Sequence, residues 1–267
     1  MMKTDHFVCR KDQSFMTEFI SHRGESMDAP ENTLEAFALA QMRNSDGMEC
    51  DIHLTADNVL VTAHDSNTLR VSKMDMVIER STFDELQKLD VSYNKAAYKN
   101  VRIPRFADTL RCLTPGRKYY VEIKENDERV IHALASELEK ANVSAEQIVM
   151  ISFHADIVKR YKELYPERQA LYLLGFTVDQ NGSWSPSADQ LIEKLAELGA
   201  DGADIGCNLD FITAEYVQKV HAAGYKLAVW TVDDPVVAGY CVKYNIDAVT
   251  SNRAAFLRGT LLEQVEK

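Results

Sequence analysis

The stretch EFISHRGESMDAPENTLEAFALAQMRNSDGMECDIH, residues 18–53, contains the pattern that decides the fold. Two β-rich runs, Glu18–His22 and Gly47–His53, enclose a segment with the apolar spacing of an amphipathic helix. A helix start signal opens that segment, because Asn32 can act as a cap and Glu35 follows three residues later, as in a capping box. A strand, a helix and a second strand in this order predict a parallel β–α–β unit.

The alternation of strand and helix continues along most of the chain, which predicts a parallel sheet covered by helices. The eight predicted strands are Glu18–His22, Gly47–His53, Tyr119–Lys124, Ile148–Phe153, Ala170–Leu174, Gly202–Ile205, Lys226–Val232 and Asp247–Ser251. We therefore predict an α/β fold of the TIM type, a (β/α)8 barrel, for which 267 residues are a suitable length.

The alternation breaks once, between the second and third predicted strands, where about residues 65–113 form a small insertion. Within it, Thr82 and Glu85 have capping-box spacing, which predicts a short helix over Ser81–Leu89. Insertions of this kind usually cover the carboxyl-terminal face of a barrel. No linker, repeat or low-complexity tract is visible, so we expect residues 1–267 to form a single domain.

The composition argues against several classes of partner. Thirty Lys and Arg against 41 Asp and Glu give a net charge of −11, which disfavours nucleic acid and anionic membranes as partners. No stretch has the apolar length of a membrane span, and residues 1–15 lack the apolar run of a secretory signal. The five cysteines are widely spaced, so reduced thiols in a cytoplasmic protein are the simplest interpretation. The oligomeric state is not indicated.

Carboxylates on the second and third strands are expected to share the inside of the barrel. Residues two apart in a strand point the same way, so Glu49 and Asp51 face one side, and Glu122 and Lys124 follow the same rule. Buried charges of one sign need compensation, and a hard divalent cation with oxygen ligands would supply it. The alternative is a structural network in which these carboxylates pair with Lys124 and Arg23.

Two histidines are predicted at strand ends beside these carboxylates. His22 closes the first strand, and His64 comes soon after the second. Their ordinary pKa of about 6.5 suits a general base and a general acid. Arg23 and Lys124 could hold a phosphoryl group between them. We expect His6, His53, His132 and His221 to be packed or surface residues.

Several short motifs follow one another in a fixed order along the chain. They are His22-Arg23-Gly24, Pro30-Glu31-Asn32-Thr33, Glu49-x-Asp51, Leu54-Thr55-x-Asp57, His64-Asp65 and Glu122-Ile123-Lys124, with later similarity at Ser152-Phe153 and Val229-Trp230-Thr231-Val232. As an ordered set covering residues 20–252, they resemble the glycerophosphodiester phosphodiesterase family. Two departures are Asn58, where the family commonly has Gly, and Ser251-Asn252-Arg253-Ala254, which replaces the usual Thr-Asp-x-Pro.

The resemblance implies a barrel enzyme that hydrolyses small-molecule glycerophosphodiesters to glycerol 3-phosphate and an alcohol, with one divalent cation (Mg, Ca or Mn). The residues it implies are the metal ligands Glu49, Asp51 and Glu122, the acid–base pair His22 and His64, and the phosphate-binding cations Arg23 and Lys124. Trp230 could form an apolar wall against the substrate, although aromatic residues in barrel strands often belong to the core.

Two alternative functions remain open. One is a related lyase that cleaves intact phospholipid, of the sphingomyelinase D or inositol phospholipase C kind, which the lack of a basic, aromatic membrane-docking segment disfavours. The other is a catalytically silent barrel that binds a phosphodiester, and the presence of the whole set of site residues disfavours it. The nucleophile is either a hydroxyl of the substrate or water, because Ser21 is expected to point away from His22.

Overall fold

The structure, a computed structural model, describes residues 16–265 apart from residue 94. Within this part of the chain, eight parallel strands close into a barrel, as predicted, because β1 pairs with both the second and the last strand of the sheet. The parallel strands are β1 (Glu18–Ser21), β2 (Gly47–Leu54), β4 (Lys118–Ile123), β5 (Ile148–Ser152), β6 (Gln169–Leu174), β9 (Gly202–Gly206), β10 (Lys226–Trp230) and β11 (Ala248–Ser251). Each of the eight overlaps a predicted strand.

Helices connect the strands and cover the outside of the barrel. In the described residues they are α1 (Leu34–Met42), α2 (Leu69–Ser72), α3 (Phe83–Leu86), α4 (Phe106–Thr109), α5 (Glu128–Lys140), α6 (Ala155–Leu164), α7 (Ala188–Leu198), α8 (Ala214–Ala222), α9 (Pro235–Lys243) and α10 (Ala254–Val265). In α7, Ser187 and Gln190 form a capping box, and Leu191 and Leu195 are buried on the barrel side.

The alternation of side chains along each strand separates two cores. The outward side chains of β2, Met48, Cys50 and Ile52, join the large apolar layer beneath the helices. The inward apolar side chains form a smaller cluster in the barrel: Ile20, Tyr120, Val149, Ile151, Leu171, Leu173, Ala228 and Ala248. Polar inward residues interrupt this cluster, since Glu49 is paired in register with Tyr120 and Asp204 with Ala228.

The insertion between β2 and β4 has an apolar cluster of its own. The strand β3 (Leu60–Thr62) first returns antiparallel to β2, and helices α2, α3 and α4 follow. The predicted helix over Ser81–Leu89 is shorter than expected, at Phe83–Leu86, but it has the predicted capping box of Thr82 and Glu85. The buried apolar side chains are Val61, Ala63, Ile78, Phe83, Leu86, Leu89, Val91, Val101 and Ile103.

The prediction of a single break in the alternation was wrong. A second interruption lies between β6 and α7, where β7 (Thr177–Val178) and β8 (Trp184–Ser185) form a small antiparallel hairpin. Strands of two residues are too short to show a period in the sequence.

The start of α1 also differs from the prediction. Thr33, not Asn32, is the cap, because its hydroxyl accepts a hydrogen bond from the amide of Ala36. Asn32 adopts a positive φ of 56° and donates through Nδ2 to Asp51 Oδ2 at 2.7 Å. The side chain that resembled a cap in the sequence is therefore bonded to the inside of the barrel.

Two further sequence-based predictions concern the described residues. The four cysteines among them, Cys50, Cys112, Cys207 and Cys241, are free thiols, whereas Cys9 lies outside the described residues. None of the helices between residues 16 and 265 has the length and apolar character needed to cross a membrane. Asn58, which stands where the family commonly has Gly, has a φ of 60°, in the left-handed region that Asn tolerates better than most residues.

Candidate active site

The structure brings all of the predicted site residues together at the carboxyl ends of the strands. A cavity of about 180 Å³ opens there, and six of its lining residues are His22, Arg23, Glu49, His64, Glu122 and Trp230. The remaining two predicted residues, Asp51 and Lys124, contact this lining through ion pairs. The side chains that the alternation of strand faces predicts to lie inside the barrel therefore converge on one cavity.

The three carboxylates form a compact buried cluster. One ligand oxygen from each of Glu49, Asp51 and Glu122 lies within 4.8 Å of the others, and all three residues are buried. Burial and the charge of Asp51 raise the pKa of Glu122 to about 7, and they raise the pKa of Glu49 well above its ordinary value. Asp51 behaves differently, since Arg23 and Lys124 outweigh the effect of burial and lower its pKa.

Two cations partly neutralise this cluster. Arg23 Nε lies 3.2 Å from Asp51 Oδ2, and Lys124 Nζ lies 2.8 Å from Glu122 Oε1 and 3.4 Å from Asp51 Oδ1. The ion pairs of the structural-network interpretation are therefore present. They do not compensate the carboxylates fully, because the pKa values of Glu49 and Glu122 remain raised.

The cluster fits a hard divalent cation. Its donors are all carboxylate oxygens, the ligand type that Mg²⁺, Mn²⁺ and Ca²⁺ prefer. In addition, Asp51 Oδ1 is buried and, apart from its ion pair with Lys124 Nζ at 3.4 Å, has no hydrogen-bond donor in the described part of the chain. A buried carboxylate oxygen without a donor is costly unless a cation binds it.

The loop after β1 is shaped to place Arg23 over the carboxylates. Arg23 has a φ of 55°, and its backbone amide donates to Glu49 Oε2 at 2.8 Å. Gly24 follows with a φ of 78°, and a Cβ atom there would lie 2.5 Å from the carbonyl carbon of Ala36. Glycine is therefore required by close packing as well as by its backbone conformation.

His22 is held in one orientation by a residue from the far end of the chain. Its Nδ1 lies 2.8 Å from Asn252 Oδ1, while Asn252 Nδ2 donates to Asp233 Oδ2 at 2.7 Å. Because Asp233 accepts from the amide nitrogen, the amide oxygen of Asn252 faces His22, and the Nδ1–H of His22 donates to it. Burial and the neighbouring Arg23 lower the pKa of His22 to about 4, so its Nε2 carries a free lone pair at neutral pH.

His64 is held by a carboxylate and, beyond it, by the insertion. Its Nδ1 donates to Asp65 Oδ1 at 2.7 Å, and Arg70 of α2 donates through Nε to Asp65 Oδ2 at 2.6 Å. Arg70 also binds Glu31, which accepts a hydrogen bond from Arg23 at 2.9 Å. Burial lowers the pKa of His64, while Asp51 opposes this shift.

Three other histidines in the described residues, His53, His132 and His221, have the packed or surface positions expected of them. His53 is buried and donates to the backbone oxygen of His64 at 3.2 Å, so it supports the loop that carries His64. His132 bonds to Glu128 on the surface, and His221 bonds to Asp247. His6 lies outside the described residues.

One wall of the cavity is aromatic. The ring of Trp230 meets that of Phe153 edge-on, with 5.6 Å between the centroids, and its Nε1–H donates to the backbone oxygen of Asp204 at 3.2 Å. Trp230 is therefore a cavity residue as well as a packing residue.

Sequence reasoning missed several residues around the cavity. Arg70 follows His64-Asp65 closely enough that it could have been suspected as a partner of Asp65. Asp233 and Asn252 gave no usable signal, because Asn252, which is bonded to Asp233, meets His22 only through the closure of the barrel. Asp204 and Thr250, which also line the cavity, read as ordinary strand residues.

Comparisons with known proteins point to one enzyme family. The Bacillus subtilis (strain 168) protein named "Putative glycerophosphodiester phosphodiesterase YhdW" is 35% identical over 241 residues, which cover 89% of this chain and 95% of that protein. Human lysophospholipase D GDPD1 is 31% identical over 198 residues, covering 69% of this chain and 62% of that protein. The structure of an Oleispira antarctica phosphodiesterase in complex with the product sn-glycerol-3-phosphate superposes with a TM-score of 0.81 at 28% identity, covering 93% and 98% of the two chains.

A sequence model of the glycerophosphoryl diester phosphodiesterase family matches residues 22–255, the part of the chain that contains seven of the eight barrel strands and every residue of the candidate site. Together with the eight-stranded parallel barrel, this match identifies the chain as a phosphoric diester hydrolase that belongs to the glycerophosphoryl diester phosphodiesterase family.

Proposed function

We propose that this enzyme hydrolyses glycerophosphodiesters to glycerol 3-phosphate and an alcohol in a reaction that depends on a divalent cation. The observation that carries the proposal is the convergence of carboxylates, imidazoles and cationic side chains on one cavity at the strand ends. The relative with sn-glycerol-3-phosphate bound supports glycerol phosphate as the product. The relative named as a glycerophosphodiester phosphodiesterase supports the same reaction.

Glu49, Asp51 and Glu122 would hold the cation. When bound, a cation of this kind supplies Lewis acidity that stabilises negative charge on the phosphoryl group. The carboxylates themselves keep the site selective for hard cations, because they offer oxygen donors only. Arg23 and Lys124 lie beside the cluster and would contact the phosphoryl oxygens, with Arg23 offering two donors and Lys124 a point charge.

His22 is the better candidate for the general base. The bond from its Nδ1–H to Asn252 leaves the Nε2 lone pair available, and its lowered pKa keeps the ring neutral. His64 is the better candidate for the general acid. Its bond to the carboxylate of Asp65 opposes the lowering of its pKa by burial, and a protonated Nε2 would deliver a proton to the leaving alcohol.

The attacking group is proposed to be the 2-hydroxyl of the substrate's own glycerol. The nearest protein candidates are engaged elsewhere, since Ser21 Oγ donates to Glu25 at 2.8 Å and Cys50 faces the outer core. In the first step the 2-oxygen bonds to phosphorus and loses its proton to His22. The phosphorus–alkoxy bond breaks, and His64 protonates the leaving alcohol. Water then opens the cyclic phosphate with the two roles reversed.

A substrate and cation screen tests the proposal. The purified enzyme is incubated with glycerophosphocholine, glycerophosphoethanolamine, glycerophosphoglycerol or glycerophosphoinositol, each with Mg²⁺, Mn²⁺ or Ca²⁺, and glycerol phosphate is followed by phosphorus NMR. Turnover of at least one diester that stops on chelation is expected. If no diester is cleaved with any cation, the proposed function is wrong.

The lysophospholipase D relative favours one second candidate, the release of the head group from a lysophospholipid. The same chemistry would apply, but the glycerol would carry an acyl chain. Parallel assays of glycerophosphocholine and lysophosphatidylcholine distinguish the two, and a higher kcat/KM for the lysolipid would favour the second candidate.

A further inference from the structure

We propose that Asp204 and Thr250 form a subsite that binds the terminal hydroxyl of the glycerol moiety, the one on the carbon farthest from the phosphoester. This inference rests on the proposed function and deepens it, because it concerns how the same cavity selects glycerol. Neither residue belongs to the set that the family motifs brought into view.

Asp204 is an acidic side chain turned into the barrel. Its neighbours Ala203 and Ile205 belong to the outer core, so the alternation of β9 directs Asp204 inward. It lines the cavity and is 1% exposed. Its Oδ1 has no hydrogen-bond partner among residues 16–265, residue 94 left aside.

Thr250 is a second buried polar residue that lines this cavity. It lies on β11, lines the same cavity and is 2% exposed. Its Oγ1 also lacks a hydrogen-bond partner within the described part of the chain. Buried polar atoms are nearly always hydrogen-bonded in folded proteins, so two unpartnered groups lining one cavity indicate a ligand that supplies the missing bonds.

The chemistry of the subsite matches a hydroxyl better than a cation or an anion. Burial, with a smaller effect of Glu122, raises the pKa of Asp204 to about 8, so at neutral pH the carboxyl group is largely protonated and can both donate and accept. A cationic head group would find no negative charge there and would share the site with the cations Arg23 and Lys124. An anion would find no basic partner.

The apolar residues around the subsite sharpen its selectivity. Ile151, Leu173 and Trp230 line the same cavity, and none of these side chains could satisfy Asp204 or Thr250. A substrate without the terminal hydroxyl would leave both groups buried and unpaired, which is the arrangement that rejects an analogue most strongly. Acylation of that hydroxyl would have the same effect, so the enzyme should prefer deacylated diesters over lysophospholipids.

The test compares two substrates that differ by one hydroxyl. Glycerophosphocholine is compared with the phosphocholine diester of 1,2-propanediol, which retains the hydroxyl next to the phosphoester and lacks only the terminal one. Wild-type kcat/KM should fall by a factor on the order of 10² on the deoxy substrate. Asp204→Val and Thr250→Val should each lower kcat/KM for glycerophosphocholine while leaving the rate on the deoxy substrate unchanged or improved.

Ile151→Val provides the matched control, because it changes the same wall without removing a polar group. It should change kcat/KM for both substrates by the same factor. If Asp204→Val and Thr250→Val also act equally on both substrates, the two residues are structural and the proposal is overturned. If the valine variant folds poorly, Asp204→Asn is used as well, because it keeps hydrogen-bonding capacity and shape. It should retain most of the discrimination between glycerophosphocholine and the deoxy substrate.

A binding measurement separates this inference from the proposed function. Calorimetry gives the affinity of wild type and Asp204→Asn, Asp204→Val and Thr250→Val for sn-glycerol 3-phosphate and for 1,2-propanediol 1-phosphate. Tighter binding of the hydroxylated ligand to wild type, lost in the valine variants, supports the subsite even if no diester is turned over. Equal binding of the two ligands to wild type overturns the subsite while leaving the hydrolytic function intact.

Discussion

Arg70 in the insertion donates a hydrogen bond from each of its two terminal nitrogens to Glu31 of the first loop, at 2.7 and 2.8 Å. The same guanidinium donates through Nε to Asp65, the partner of His64, while Glu31 accepts from Arg23. One cation of the insertion is therefore tied to a proposed acid–base residue and to a proposed phosphate-binding residue. A fork of this kind holds planar carboxylates in fixed positions.

Arg70→Lys should lower kcat by something on the order of tenfold, because a single ammonium cannot hold both carboxylates in these positions. The partly exposed site of Arg70 implies only a small change in melting temperature. The pH dependence of the rate should shift as well, since Asp65 would be free to move away from His64. Unchanged kcat and pH profile would mean that the insertion does not position these residues. Arg80→Lys, at an exposed arginine of the insertion that forms an ion pair with Glu79, is the control.

Glu49→Ala, Asp51→Ala and Glu122→Ala should each weaken cation binding in calorimetry, because each removes one carboxylate from the cluster. Chelation of the wild type should abolish turnover and leave the circular dichroism spectrum unchanged, since the apolar core lies below the cluster. If all three variants bind the cation with wild-type affinity, the carboxylates belong to a purely structural network and do not form a cation site.

Cation affinity should fall as the pH is lowered through about 7. The raised pKa values of Glu49 and Glu122 mean that the cation-free site retains protons at neutral pH, and a cation must displace them. For one displaced proton, the affinity should drop on the order of tenfold per pH unit below this point. Calorimetry at pH 6 and pH 8, in buffers of different ionisation enthalpy, measures both the affinity and the protons released. An affinity and heat independent of pH and buffer would contradict this prediction.

His22→Ala and His64→Ala should each reduce kcat by a factor on the order of 10²–10⁴, the usual size of a general acid–base contribution. Asn252→Ala should reduce it less, because His22 would keep its imidazole but lose its fixed orientation. The lowered pKa of His22 also predicts that its base form persists down to about pH 4. A histidine variant that loses stability in a thermal melt without a specific rate defect would argue against a catalytic role for that residue.

A glycerophosphodiester whose 2-hydroxyl is replaced by hydrogen should bind but not turn over, because the proposed cyclic pathway needs that hydroxyl as the nucleophile. Detection of a transient cyclic glycerol phosphate by phosphorus NMR with the natural substrate would agree with this result. Turnover of the analogue near the natural rate would instead favour direct attack by water.

Much of the barrel and the centre of the site could be predicted from short segments. Glu49 and Asp51 were assigned to the inside of the barrel because a strand alternates its faces, and the structure agrees. His22, in contrast, lies 230 positions from Asn252, and no local pattern connects them. Asn32 shows that a local pattern can also predict the wrong role, because its sequence context is that of a helix cap, yet its side chain is bonded to Asp51.

The sequence by itself determined the order of strands and helices, the inward direction of the carboxylates and the chemistry that such groups can perform. These properties depend on neighbours within a few residues, where steric rules and side-chain periodicity act. Only the tertiary structure decided which nitrogen of His22 is free, how Arg70 ties the insertion to the site, and that Asp204 Oδ1 and Thr250 Oγ1 have no hydrogen-bond partner among the described residues. Hydrogen bonding and desolvation depend on distances between segments remote in the chain, and those distances exist only once the barrel has closed.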